Sequence, residues 1–265
     1  MVKYVAALDI GTTGLRMLVG KITDSGSTHI IAKSTVVCRG VRKFQIEDEQ
    51  ELISGVRKLL KKIEEQTDII VKSAYVSVQG AYVGYVRNTA VIDTENGSVT
   101  AGIIADLLDK TSDIELYEDE HLIDVIPIKY IIDDTTATTD PYGAEAGSLR
   151  VEADVVTASE DAVHRITGCL NAAGLEVDGF IPFSAAMMGL LPDYEQESGS
   201  TLLIYVGGSV TEFSVYFKNY PFFSSSIPVL IPLSDSLFMT SSYVYPSSHL
   251  PSLTDALILS SAIYT

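Results

Sequence analysis

With 265 residues, 46% of them hydrophobic, the chain is long and apolar enough for one large packed domain or two small ones. Its formal net charge of −17 excludes the broad basic face that nucleic acid or anionic lipid requires. Cys38 and Cys169 lie far apart and read as free structural thiols of a reducing cytoplasm. A basic-then-apolar secretory leader and a run of about 18 apolar residues are both missing, so neither secretion nor a spanning helix is expected.

In chain order, Val2–Ile10, Arg16–Ile22 and His29–Val37 read as three strands of an antiparallel meander. Glycine-containing turns separate them at Gly11–Gly14 and Asp24–Ser27. Cys38–Lys43 is a basic loop that reads as solvated. From Asp48 to Glu65, Leu52, Ile53, Val56, Leu59, Leu60 and Ile63 form one apolar stripe. That spacing predicts an amphipathic helix capped by Asp48 and laid on a sheet. Ser73–Val78 predicts a strand, broken at Gln79-Gly80.

The next stretch has another texture. A strand at Val83–Asp93, a turn at Asn96-Gly97 and a helix from Thr100 through Asp109 precede a long apolar strand, Leu122–Ile132. Its Pro127 implies an edge or a bulge. Thr135–Gly147 reads as a loop, and Leu149–Thr157 alternates like a half-buried strand. These elements form a small α/β unit of their own, inserted into the surrounding pattern. Its Glu118-Asp119-Glu120-His121 run reads as a solvated acidic loop, because four consecutive residues do not converge on one metal ion unaided.

The first pattern then returns. Ser159–Ala173 predicts a second amphipathic helix ended by Gly174, Leu175–Pro182 a strand, and Ser184–Leu191 a short core helix. A polar linker, Pro192–Ser200, leads to a strand at Thr201–Gly208 and another at Thr211–Phe217.

Two strand–turn–strand segments carry the chemistry. In Asp9-Ile10-Gly11-Thr12-Thr13-Gly14 the glycines let backbone N–H groups approach a ligand, and the threonines add hydroxyl donors. Asp9, at the strand end, is placed to hold a hydrated Mg²⁺. A polar hairpin turn without ligand fits the same residues. Tyr205-Val206-Gly207-Gly208-Ser209 repeats the geometry, and two such turns in one chain favour a duplicated α/β fold with both loops on one phosphate chain. Neither a metal-ligand spacing of histidines nor a Ser/His/Asp or Cys/His set is legible.

The first loop resembles the opening phosphate motif of the actin, Hsp70 and sugar-kinase superfamily. Arg39–Lys43, Ala74–Gly80, Val125–Asp133, Asp140–Gly143 and Ala172–Val177 resemble, in that order, the FtsA family of bacterial cell-division proteins. The resemblance implies an actin-like (ribonuclease H-like) α/β fold, the first half plus the start of the second. Residues 1–80 and 159–198 would form subdomain 1A, 81–158 an inserted α+β subdomain 1C of the SHS2 kind, and 199–229 the start of subdomain 2A. It further implies ATP and Mg²⁺ as cofactors, Gly11, Thr12, Thr13, Gly207, Gly208 and Ser209 as phosphate ligands, and Asp9 as a metal partner through water. Implied partners are FtsZ and later division proteins, with self-association through 81–158 and no nucleic acid. The implied location is cytoplasmic, at the inner face of the membrane at the division site. The same opening motif is also similar to that of sugar kinases, and the fold to pilus-assembly and chaperone-like relatives.

Two departures stand out. Tyr205 occupies the place of an aspartate in the family's second phosphate loop, and a phenol that ionises near pH ~10 is no anionic metal partner at neutral pH. Weak or absent hydrolysis is therefore expected. Beyond Lys218 there is no Lys, Arg, Glu or Gly, and the adenosine motif and amphipathic membrane helix implied by the family are not legible. Residues 230–265 are expected to be an atypical tail of a truncated or frame-shifted chain.

Overall fold

The computed structural model describes residues 3–23, 27–42, 45–79, 83–188, 199–217, 220–228 and 239–246. Residues 24–26 of the second turn, Lys43, the Gly80 break, most of the 192–200 linker and the tail other than 239–246 lie outside the described residues.

The N-terminal strands β1 (Lys3–Ile10), β2 (Gly14–Ile22) and β3 (Thr28–Val37) form the expected antiparallel meander. Short β4 (Val41–Arg42) and β5 (Gln45–Ile46) pair with each other before α1 (Glu49–Thr67). The chain returns as β6 (Ser73–Val78), parallel to β1; the later β11 (Glu176–Pro182) lies parallel to β6, giving the order β11-β6-β1-β2-β3.

Helix α1 forms where the sequence stripe placed it. The Asp48 carboxylate accepts from the Glu51 N–H at 2.9 Å, and Leu52, Val56, Leu59 and Ile63 are fully buried. Helix α3 (Glu160–Ala173) lies beside it, capped by Ser159, with Glu160 and Asp161 in its positive first turn. It ends at Gly174 with φ 93°, a conformation that glycine adopts without strain. Both helices cover one sheet face, and their leucines join Leu8, Leu15, Met17 and Val76 in a common core. Each such buried side chain contributes about 1.5–3 kcal/mol of transfer free energy.

Cys38 and Cys169 are buried in that core as free thiols, and desolvation pushes both thiol pKa values up. The thiolate is the nucleophile, so both groups are expected to be silent toward a disulfide reagent in the native state and to react together after denaturation. Rapid native labelling of either would contradict the packing.

The inserted unit comprises β7 (Val83–Ser98), α2 (Ala101–Ser112), β8 (Glu120–Ile132), β9 (Thr136–Thr138) and β10 (Glu145–Ser159), with strand order β7-β10-β8-β9. It has its own core, in which Leu107 of α2 meets Leu149, Val151 and Ala153 of β10. The other sheet face is charged. Arg87 meets Asp154 at 2.6 Å and Lys129 meets Glu152 at 3.0 Å, both as directly opposed cross-strand pairs. Pro127 sits in a bulge, where the β8–β10 register shifts between Glu152 and Ala153. β9 lies inside a stretch that the sequence read as loop. Three residues are too short for a visible alternation, and the turn before it depends on left-handed Asp133 and Asp134 (φ 49° and 57°). The Asp133 carboxylate accepts from the Gly147 and Ser148 N–H groups at 2.8 and 2.9 Å.

After the short helix α4 (Phe183–Met188), β12 (Gly199–Val206), β13 (Val210–Phe217), β14 (Tyr220–Pro228) and β15 (Met239–Pro246) form a third sheet, ordered β14-β13-β12-β15. β15 runs antiparallel to β12 and belongs to the tail for which no fold was expected. Its Thr, Tyr and Val residues have strand propensity, and β12 offers an edge to pair with. Tyr216, fully buried, fastens this sheet to the rest: with Leu203 it packs on Phe183 and Met187, and its hydroxyl donates to the Ser184 carbonyl at 2.8 Å. Tyr85 of the inserted unit reaches the same helix, its hydroxyl 2.8 Å from Ser184 Oγ. Desolvation pushes the Tyr85 pKa up to about 12 and raises that of Tyr216 as well, so both remain neutral hydroxyls.

Candidate functional site

The β1–β2 and β12–β13 hairpins are built alike. Gly11 N–H donates to the Gly14 carbonyl at 3.0 Å, and Gly207 N–H donates to the Val210 carbonyl at 2.8 Å. Each bond closes a short turn whose intervening residues are small or hydroxylated: Thr12 and Thr13 in one, Gly208 and Ser209 in the other. The two turns meet. Thr12 Oγ1 and Ser209 Oγ are 2.6 Å apart, although 197 residues separate them in the chain. A Cβ on Gly208 would stand 3.4 Å from Thr12 Cβ and 3.6 Å from Thr13 Cγ2, ordinary contact distances that show how closely the two loops approach. All six residues singled out as phosphate ligands line one cleft that is partly open to solvent. Its walls also include Arg16, Gln79, Val41 and Tyr205.

Asp9 is at the strand end, as read from sequence, but both its carboxylate oxygens are engaged. Arg16 Nη1 donates to Oδ2 at 2.8 Å, and Ser77 Oγ donates to Oδ1 at 3.0 Å. The hairpin register explains the first bond, because Asp9 and Arg16 are direct partners across β1 and β2. The second follows from β6 lying beside β1, which also brings Gln79, just past the end of β6, to the same end of the sheet. Arg16 and Gln79 were not singled out from the sequence. The hairpin register alone pointed to Arg16, whereas Gln79 needed the parallel pairing.

The second hairpin repeats this arrangement with different chemistry. Tyr205 stands where Asp9 does and pairs with Glu212 where Asp9 pairs with Arg16. The Tyr205 ring packs against Phe183, with centroids 4.7 Å apart and planes tilted by 40°. Glu212 is buried beside Tyr85 and Tyr216, whose hydroxyl pKa values its charge helps to raise, and it does not line the cleft.

The acidic loop of the inserted unit does not assemble a metal centre. His121 Nδ1 lies 2.8 Å from Glu160 Oε2, tying the start of β8 to α3, and His164 Nε2 lies 2.5 Å from Glu160 Oε1 within α3. Among the described residues, no group of three or more His, Cys, Asp or Glu side chains is placed to hold a metal ion.

The comparisons with known proteins bear on the insertion first. Residues 80–157 match the family described as the SHS2 domain inserted in FTSA. Over 209 residues the chain is 28% identical to cell division protein FtsA of Bacillus subtilis (strain 168), an alignment that covers 77% of this chain and 47% of that protein. The chain is FtsA-like. Its identity to cell division protein FtsA of Pseudomonas aeruginosa is 23% over 228 residues, covering 86% of this chain and 54% of the relative. The corresponding protein of Escherichia coli (strain K12) is 23% identical over 215 residues, with 81% and 51% covered. The FtsA-like chain thus spans about half the length of the curated relatives it matches. A solved chain of a PilM-PilN type IV pilus biogenesis complex shares the fold, with a TM-score of 0.54 at 13% identity, covering 85% of this chain and 62% of that one. The fold is therefore α/β and actin-like, carrying the inserted SHS2 unit.

Proposed function

We propose that this FtsA-like chain is a nucleotide-binding cell-division protein that grips the phosphates of ATP between the Gly11–Thr13 and Gly207–Ser209 loops. The 2.6 Å contact between Thr12 and Ser209 carries the reading, because it brings two distant N–H-rich turns onto one cleft. Turn backbone with hydroxyl donors suits a phosphate chain, and each charge-assisted bond to it is roughly twice as strong as a neutral one. In this reading the units keep the boundaries 1–80 with 159–198, 81–158, 199–229 and 230–265. The division role rests on the similarity to proteins named cell division protein FtsA. The same relationship supports self-association through residues 81–158, contact with FtsZ and later division proteins, and a place at the inner face of the membrane at the division site. Among the described residues, no helix is long and apolar enough to cross a membrane.

Hydrolysis is proposed to be weak or absent, because Tyr205 supplies a phenol where an attacking water would need a carboxylate. The test pairs a fluorescent ATP analogue titration with a phosphate-release assay on the full chain. The reading expects saturable binding without measurable turnover. Turnover like that of a full-length FtsA would contradict the role given to Tyr205, and absence of binding would contradict the cleft.

Mg²⁺ held through water by Asp9 was the expectation from sequence. The lining of the cleft does not fit it: each Asp9 oxygen already accepts one hydrogen bond within the protein, and none of the described lining residues carries a carboxylate.

A further inference from the structure

We infer that the cleft takes a polyphosphate without a divalent cation, with Arg16 supplying the positive charge that a metal would otherwise bring. The inference rests on the polyphosphate reading above and adds to it the mode of charge neutralisation.

The lining carries the case. Thr12, Thr13 and Ser209 present hydroxyls, Gly11, Gly207 and Gly208 present backbone, and Arg16 is the charged side chain among the described lining residues. Among the described residues that line the cleft, none carries a carboxylate. Mg²⁺ is held in phosphate sites by one or two carboxylates together with phosphate oxygens and waters. The first candidate, Asp9, is in a 2.8 Å ion pair with Arg16, its other oxygen accepts from Ser77, and it is not among the residues that line the cleft. The second position is the Tyr205 phenol, packed on Phe183. Glu212, opposite Tyr205, is buried beside Tyr85 and Tyr216, away from the lining. A lining of hydroxyl groups, backbone and one guanidinium, without a carboxylate among its described residues, suits an anion better than a cation.

The same contacts give Asp9 another task. Ser77 holds Asp9, Asp9 holds Arg16, and Arg16 lines the cleft with the two loops. Arg16 is a binding residue and Asp9 a positioning residue. Guanidinium is always protonated, matches phosphate oxygens in a planar fork, and is weakly hydrated, so it serves as a fixed counter-ion without metal.

The test titrates the full chain with ATP and, separately, with inorganic tripolyphosphate, each in excess EDTA and in millimolar Mg²⁺. Binding in EDTA at least as tight as in Mg²⁺ is expected for both probes, because a cation chelated by the polyphosphate competes with Arg16 for its oxygens. Arg16→Gln is expected to weaken both by roughly 10–100-fold in either buffer, the loss of a charged hydrogen-bonding group. Arg16→Lys, which keeps the charge, should recover part of this, and unchanged thermal melting separates the binding effect from misfolding. Asp9→Asn should weaken binding equally in the two buffers, whereas a metal-holding Asp9 would lose only the Mg²⁺-dependent part. Binding that vanishes in EDTA overturns the inference and leaves the nucleotide reading intact. Metal-independent binding of tripolyphosphate with none of ATP upholds the inference and overturns the nucleotide reading. No binding of either probe overturns both.

Discussion

Tyr216→Ala is expected to lower stability by about 3–5 kcal/mol, the cost of removing a large aromatic side chain from a fully buried site. Its effect on ligand binding should be larger than that of a core substitution of similar cost elsewhere. Tyr216 and Leu203, packed on Phe183 and Met187, are the small apolar cluster that holds the third sheet to α4, and the Gly207–Ser209 loop is carried by that sheet. Loosening the cluster frees one loop from the other. Tyr216→Phe isolates the hydroxyl: it keeps the ring and leaves the Ser184 carbonyl without its donor, at a cost of about 1–3 kcal/mol. Urea unfolding of the two variants checks the order, and loss of polyphosphate binding in Tyr216→Ala under native conditions checks the coupling. A Tyr216→Ala protein that melts and binds like the parent would contradict the described docking of the third sheet.

Leu59→Ala in α1 is expected to cost about 2–5 kcal/mol, a large part of the roughly 5–15 kcal/mol that stabilises a typical domain. Leu59 is fully buried in the core shared by α1, α3 and the five-stranded sheet. The inserted unit keeps a core of its own around Leu107, Leu149 and Val151. Its effect should therefore be regional. Hydrogen exchange is expected to speed up in β1, β2, α1 and α3 while β7, β8 and β10 retain their protection. Uniform loss of protection across both cores would show that they unfold as one unit.

Much of this architecture was legible because its signals are local. The α1 stripe from Leu52 to Ile63, the Ser159 and Gly174 ends of α3 and the Gly/Thr turns each lie within a few residues of one another in the sequence. Elements needing partners far along the chain were harder. β9 exists because β8 offers it an edge, and β15 because β12 does. The candidate site divides in the same way. Its six loop residues could be named from two short motifs, and the structure brings all six onto one cleft. The hydrogen-bond partners of Asp9 could not be read from its motif. An aspartate after a buried strand and before a glycine turn fits a metal partner, and only the fold shows that its oxygens accept from Arg16 and from Ser77. Tyr205 shows the converse, because its substitution for an acid was visible in sequence, whereas its stacking on Phe183 required the fold.

The central claim is that two distant turns form one polyphosphate-binding surface, and amide chemical shifts measured during an ATP titration of the isotope-labelled chain test it most directly. The account predicts that Gly11, Thr12, Thr13, Gly207, Gly208 and Ser209 shift together along one saturation curve, in EDTA as in Mg²⁺. Shifts confined to one loop, or saturation with both loops unmoved, would contradict it.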